Sequence, residues 1–154
     1  DAFEKCVEKE KNLRLVLVGP DDVFYSRLKN RVEKSAIKNR VRFFGPATDA
    51  QLVTLYVHAK VLVSPSLMDG FGLPIIEALH LGTPVIASNI SVYCELFEGL
   101  VNFFDPQSVE SLSMLCTQKL AKPDTEKVAQ LLQKFSWEKA ARQTLEIYSK
   151  IQIA

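Results

Sequence analysis

The sequence predicts an α/β domain, a parallel β-sheet with helices on both faces, and three observations carry that prediction. Short apolar runs rich in β-branched residues recur at Leu15–Val18, Val61–Val63 and Val85–Ala87. None shows the polar alternation of a half-solvated strand, which suits strands covered on both faces. Helix-length segments lie between them, so strand and helix alternate from Leu13 to about Lys122. That alternation is the signature of βαβ units with right-handed crossovers.

The elements follow in order. The first strand stops at Gly19-Pro20, and Asp21 to Ala36 then places Val23, Leu28 and Val32 at near-helical spacing, with Asp21 or Asp22 as N-cap. Thr48 to His58 puts Leu52, Leu55 and Tyr56 on one helical face before the Val61 strand. A third helix opens at about Leu73 and stops at Gly82, a C-terminal signal. Ser91 to Phe97 forms a short helix, Leu100 to Phe104 a strand, and Asp105-Pro106 breaks the chain. Ser108 to Lys122 and Thr125 to Lys134 read as helices, and Ser136 caps a last one reaching about Ile151. No repeat, linker or low-complexity segment interrupts residues 1–154, which are expected to form one domain.

Composition narrows the function. Of 154 residues, 47% are hydrophobic and 24% charged, an ordinary globular balance. Lys and Arg number 19 against 18 acids, a net charge of +1, which argues against a nucleic-acid partner. Cys6, Cys94 and Cys116 are far apart and show no CxxC or His-Cys spacing, so a zinc site or disulfide scaffold is not expected and a reducing cytoplasmic location is. No apolar run approaches the ~20 residues that span a bilayer. Peripheral attachment to the inner face of a membrane, through the rest of a longer protein, stays open. No GxGxxG follows the first strand, so a nicotinamide or flavin fingerprint is missing.

The informative stretch runs from Ser64 to Ala78, Ser-Pro-Ser-Leu-Met-Asp-Gly-Phe-Gly-Leu-Pro-Ile-Ile-Glu-Ala, between a strand and a helix. Ligands of open parallel sheets collect beyond the C-terminal ends of strands. Gly70 and Gly72 let the backbone approach a ligand closely, and Pro74 suits a first helical turn. The free N–H groups and helix dipole there favour an anion, for which a diphosphate is the natural candidate.

Glu77 is the only formally charged side chain between Gly70 and Cys94. An unpartnered buried carboxylate would be costly, so it must face a crevice or meet a specific donor. Two adjacent ribose hydroxyls would serve. The plainer readings are that the glycines merely turn the chain, that Glu77 pairs with a nearby cation, and that Asp69 is a solvated loop acid or cap. His58 and His80 read as structural: His80 has no second ligand nearby, and one histidine does not make a metal site. Phe43-Phe44 reads as core, with Gly45 marking a strand end where a base could rest, and Trp137 as a packing anchor at a helix start.

Asp69-Gly-Phe-Gly-Leu-Pro-Ile-Ile-Glu77-Ala resembles the E-x7-E signature of the group 1 glycosyltransferases, the GT4 type of the GT-B fold, which usually reads E-G-F-G-L-P-x-x-E-A. Leu15-Val-Leu-Val-Gly19, Val41-Arg-Phe-Phe-Gly45, Leu52-x-x-Leu-Tyr56-x-x-Ala59, Pro65-Ser66, Gly82-Thr-Pro-Val-Ile86 and Phe135-Ser-Trp137 fall in the family's order. The resemblance implies the Rossmann-like C-terminal half of a two-domain retaining enzyme, which binds a UDP- or GDP-linked sugar without a metal or cofactor. The N-terminal acceptor half would be absent from this chain, which alone should not turn over. By position, Glu77 would hold the ribose hydroxyls, and Asp69 would lie near the donor sugar as the catalytic acid of the motif. Backbone N–H groups of Gly70, Phe71, Gly72 and Leu73 would meet sugar and diphosphate, Gly19 the phosphates, and the Phe43-Phe44-Gly45 strand end the base.

The full-length enzyme would transfer a hexosyl group to a glycan or lipid-linked acceptor in polysaccharide assembly. Two departures stand out: Asp69 is one methylene shorter than the usual Glu, and the family's first strand, with the Arg and Lys that follow it, has no counterpart here. In the order 3-2-1-4-5-6 that strand is central, so the Leu15 and Val61 strands would lack the neighbour between them. A non-catalytic partner-binding or regulatory module is the alternative from another class, and a nucleotide-sugar epimerase ranks below it for want of a glycine-rich fingerprint.

Overall fold

The computed structural model describes residues 1–151, so residues 152–154 of the expected domain lie outside the described residues. Five strands form among the described residues, all paired in parallel: β1 (Leu15–Val18), β2 (Val41–Gly45), β3 (Leu62–Ser64), β4 (Val85–Ser88) and β5 (Asn102–Phe104). They divide into a β1-β2 pair and a β3-β4-β5 sheet. Among the described residues no ladder joins β1 to β3, which is where the sequence leads one to expect a missing neighbour. In the pair, Leu15 lies opposite Val41 and Leu17 opposite Phe43, then a shift sets Val18 against Gly45.

Five of the helices among the described residues start where short polar side chains satisfy their free N–H groups. Asp22 caps α2 (Val23–Glu33) by accepting from the Tyr25 N–H at 2.8 Å. Thr48 and Gln51 form a reciprocal capping box at α3 (Asp49–His58). Ser108, Asp124 and Ser136 cap α6 (Val109–Cys116), α7 (Thr125–Lys134) and α8 (Trp137–Lys150). Three further helices, α1 (Ala2–Lys9), α4 (Leu73–His80) and α5 (Ser91–Phe97), have no side-chain cap.

The core gathers α4, β4, α5 and α7. Ile75, Ala78, Leu79, Val85, Ala87, Tyr93, Phe97, Val128 and Leu131 are buried together, and every residue of β4 is buried, as a central strand covered on both faces requires. A satellite contact sets α1 on α6, where Cys6 is fully buried with its Sγ 3.8 Å from the Ser113 carbonyl oxygen. Burial pushes the Cys6 thiol up, and burial first, then the neighbouring Cys6, pushes Cys116 up to about 12. Both thiols are therefore protonated and poorly nucleophilic at neutral pH. Ion pairs Lys5–Glu110, Arg31–Asp1 and Lys60–Glu10 tie α1 and its following turn to distant elements, but they are solvated and contribute little.

Three expectations need correction. β1 is not covered on both faces: Val16 and Val18 are 41% and 42% exposed while Leu15 and Leu17 are half-buried. A strand paired along one edge and packed on one face alternates in this way even when its sequence does not. The helix expected to reach Lys122 ends at Cys116, where the Thr117 hydroxyl donates back to the Ser113 and Met114 carbonyls; Pro123 further on disfavours helical geometry at Lys122. Trp137 is 84% exposed and anchors nothing among the described residues. It opens α8, which has no buried residue.

Candidate functional site

β3 delivers the chain at Ser64 to the loop that precedes α4, and this loop is built around Gly72. Its φ of +84° lies in the left-handed region, and a Cβ there would come 2.8 Å from Cε1 of Tyr93 and 3.1 Å from Cε2 of Phe97. Only glycine fits both the dihedral and the space. The helix then begins at Leu73 with Pro74 in its first turn, which sacrifices no intrahelical bond.

Asp69 closes the loop from within. Its Oδ1 accepts from the Phe71 N–H at 2.9 Å and the Gly72 N–H at 3.0 Å, while Oδ2 accepts from the Tyr93 hydroxyl at 2.8 Å. Those bonds lower the carboxyl from its ordinary value, the Phe71 amide contributing most, then Tyr93; burial opposes them, and the Gly72 and Gly70 amides add smaller lowering contributions. The expectation placed Asp69 against a sugar and the loop amides against a ligand; here the carboxylate and two of those amides satisfy one another. Leu73 is the fourth of the expected donors, and it sits at the open start of α4.

One helical turn on, Glu77 projects from the solvent side of α4 while Ile75, Ala78 and Leu79 face the core. The plainer reading, in which a cation claims it, does not hold among the described residues: Glu77 makes no ion pair, and its Oε2 accepts from the Tyr56 hydroxyl at 2.9 Å. Burial first, then the adjacent Glu77 carboxylate, raises the Tyr56 phenol well above its ordinary value, so it remains a donor at any physiological pH. The end of α3 is itself fastened, since buried Thr83 donates its hydroxyl to the Tyr56 carbonyl at 2.7 Å. One carboxylate oxygen of Glu77 is thereby fixed in direction, and the other accepts from no donor among the described residues.

The remaining expected residues lie at the ends of β1 and β2. The Gly19 N–H donates to the Gly45 carbonyl at 3.1 Å, and the Gly45 N–H donates to the Tyr25 hydroxyl at 2.8 Å. Gly45 has φ +80°. Phe43 meets Tyr25 edge-on, with ring centroids 5.1 Å apart, and both Phe43 and Phe44 are half-buried. Two backbone groups expected to meet phosphate and base, the Gly19 N–H and the Gly45 carbonyl, thus pair with each other, and the Gly45 N–H is taken by Tyr25. Phe71 meets Phe135 edge-on, with ring centroids 5.1 Å apart. There it lines an apolar groove of about 600 Å³ with Leu73, Ile76 and Trp137, to which neither acid contributes. His58 is exposed and bonds the Thr54 carbonyl, and no cluster of three metal-ligating side chains forms among the described residues.

Sequence reasoning missed Tyr56 and Tyr93 as parts of the site. The available signal was physical: a phenol on an apolar helix face needs a polar partner when buried. A first test concerns pH. The folded state binds the ionised form of Asp69 better than the protonated form, so its loop bonds should persist as pH falls through the ordinary aspartate range and fail only below it. Amide shifts of Phe71 and Gly72, followed by NMR from pH 7 downward, should move together with that late midpoint. A midpoint at or above the ordinary value would refute the bonding described.

Comparisons with known proteins bear on this geometry. Residues 1–133 match the family model described as glycosyl transferases group 1. The chain is 32% identical over 151 residues to O-antigen chain mannosyltransferase B of Escherichia coli, covering 92% of this chain and 39% of that protein. It is 34% identical over 149 residues to D-inositol 3-phosphate glycosyltransferase of Corynebacterium urealyticum, covering 89% of this chain and 35% of the relative. Sucrose-phosphate synthase from Thermosynechococcus elongatus superposes with TM-score 0.76 at 28% identity, over 97% of this chain and 41% of the other. Anabaena HepE in complex with UDP-glucose superposes with TM-score 0.78 at 22% identity, over 97% and 44%, a likeness of fold. The chain thus spans well under half the length of each.

Proposed function

This chain belongs to the group 1 glycosyltransferases, with the α/β fold of a GT-B half, and from that premise we propose that it is the nucleotide-sugar-binding part of a retaining hexosyltransferase. The observation that carries the reading is Glu77: a carboxylate on the solvent face of α4, without a cation, held by one oxygen and open at the other. A ribose diol is the partner such a group suits, because a carboxylate accepts from two adjacent hydroxyls in charge-assisted bonds. The start of α4, with the Leu73 N–H and the helix dipole, would then face the diphosphate. Gly19 and the Phe43–Gly45 strand end would flank phosphate and base. In the whole enzyme the work of such a site is to stabilise charge growing on the departing diphosphate while an acceptor hydroxyl attacks. The acceptor is proposed to be a glycan or lipid-linked saccharide, bound by a part of the protein outside this chain.

Support comes from a structural neighbour, Anabaena HepE, solved in complex with UDP and with UDP-glucose, and from mannosyltransferases among the relatives. The test is titration of UDP, GDP and their hexose conjugates by calorimetry or NMR. The wild type should bind one nucleotide series, and Glu77→Ala should weaken it about 10- to 100-fold, the loss of one or two hydrogen bonds to a charged group. Equal affinity in the two proteins would remove Glu77 from the site.

A further inference from the structure

We propose that Asp69 and Tyr93 are positioning residues for donor binding: the Asp69 carboxylate is the resident anion of the amide cluster at Gly70–Gly72, and Tyr93 holds it there. The acid of the loop shapes the site and does not touch the donor sugar. This inference rests on the donor-site reading above.

The geometry points inward on every side. Oδ1 of Asp69 takes the Phe71 and Gly72 N–H groups, two and three residues ahead, which is the reach of an aspartate closing its own turn. Oδ2 takes the hydroxyl of Tyr93, a side chain only 1% exposed. The same phenol oxygen lies 3.1 Å from Oγ of Ser64, the last residue of β3. A phenol has one proton, and donation to an ionised carboxylate is the stronger bond, so the Ser64 hydroxyl donates to Tyr93 and Tyr93 to Asp69. That chain of three groups links β3, the loop and α5 through one ring. The ring is also the surface against which Gly72 has no space for a Cβ. Asp69 and Gly72 are therefore seated on the same end of one buried tyrosine, at its hydroxyl and at the neighbouring Cε1.

The shorter side chain at position 69 gains its meaning here. Three of the roughly four acceptor positions of the carboxylate are taken by donors of the protein, so the loop and Tyr93 set its direction. The Phe71 and Gly72 amides are correspondingly spent within the loop, so the donor is gripped by Glu77 and by the open start of α4.

The experiment uses Asp69→Asn, Asp69→Ala and Tyr93→Phe, with UDP, UDP-glucose, GDP and GDP-mannose as probes. Asparagine keeps an oxygen for the two amides, so Asp69→Asn should bind within about threefold of wild type, whereas Asp69→Ala and Tyr93→Phe should lose about three- to tenfold. The loss should be equal for the bare nucleotide and its sugar conjugate. A loss confined to the conjugate, and as large for asparagine as for alanine, would place Asp69 on the sugar and overturn the proposal. Without ligand, hydrogen exchange at the Phe71 and Gly72 amides should quicken about tenfold in Tyr93→Phe at unchanged far-UV CD. Unchanged protection overturns the clamp. If the wild type binds no nucleotide, the donor reading falls, while exchange in Asp69→Ala and Tyr93→Phe still judges the clamp; the two aspartate variants decide alone if Tyr93→Phe does not fold.

Discussion

Gly72→Ala is expected to lower stability by about 2–4 kcal/mol, combining the cost of a left-handed L-residue with the strain of one extra methyl in a packed site. The methyl would sit 2.8 Å from Cε1 of Tyr93 and 3.1 Å from Cε2 of Phe97, and neither ring is a flexible chain end. Tyr93 is held by its hydroxyl to Asp69 and Ser64, and Phe97 is fully buried. Relief must come from the loop, which would carry the Asp69 bonds and the first turn of α4 with it. Nucleotide binding should therefore fall along with stability. Gly70→Ala is the control, because a Cβ there meets nothing within 4 Å and its φ is not left-handed. It should cost no more than about 0.5 kcal/mol, the usual limit for a surface change. Chemical denaturation of the three proteins decides the matter, and an alanine at position 72 within 1 kcal/mol of the parent would refute this account of the loop.

Phe97→Ala is expected to cost about 3–5 kcal/mol, the range for emptying a buried aromatic position. Phe97 closes α5 against the core, 5.9 Å from the Tyr93 ring centre, and its edge lines the space above Gly72. The cavity would loosen Tyr93 first, so amide exchange at Phe71 and Gly72 should rise more than exchange in β4, whose residues are buried against other neighbours as well. Thermal or urea unfolding gives the energy and hydrogen exchange gives its distribution. A uniform rise in exchange, or a loss below about 1 kcal/mol, would separate Phe97 from the loop.

How far the site was legible varied by residue. Glu77 could be singled out because one charge in an apolar helix demands an explanation, and the structure sets it on the solvent face without a cation. Gly72 could be marked as a turn residue but not as a residue pressed against Tyr93, because that contact spans 21 positions of sequence. Asp69 was read by its place in a motif. Its partners include Tyr93, 24 residues on, and no local pattern announces a bond of that length. Trp137 was misread for the opposite reason: aromatic size argues for burial, but burial needs a surface to pack on.

Patterning along the chain determined the element order, the parallel pairing, the caps at Asp22 and Ser136, and the strand–glycine–helix unit carrying Asp69 and Glu77. Those properties depend on neighbours a few residues apart, where periodicity and capping chemistry act. Tertiary structure alone decided which strand faces are covered and which donors claim the two acids. Burial and hydrogen-bond partnership are properties of what arrives from elsewhere in the chain: Tyr56 from α3 for one carboxylate, Tyr93 from α5 for the other.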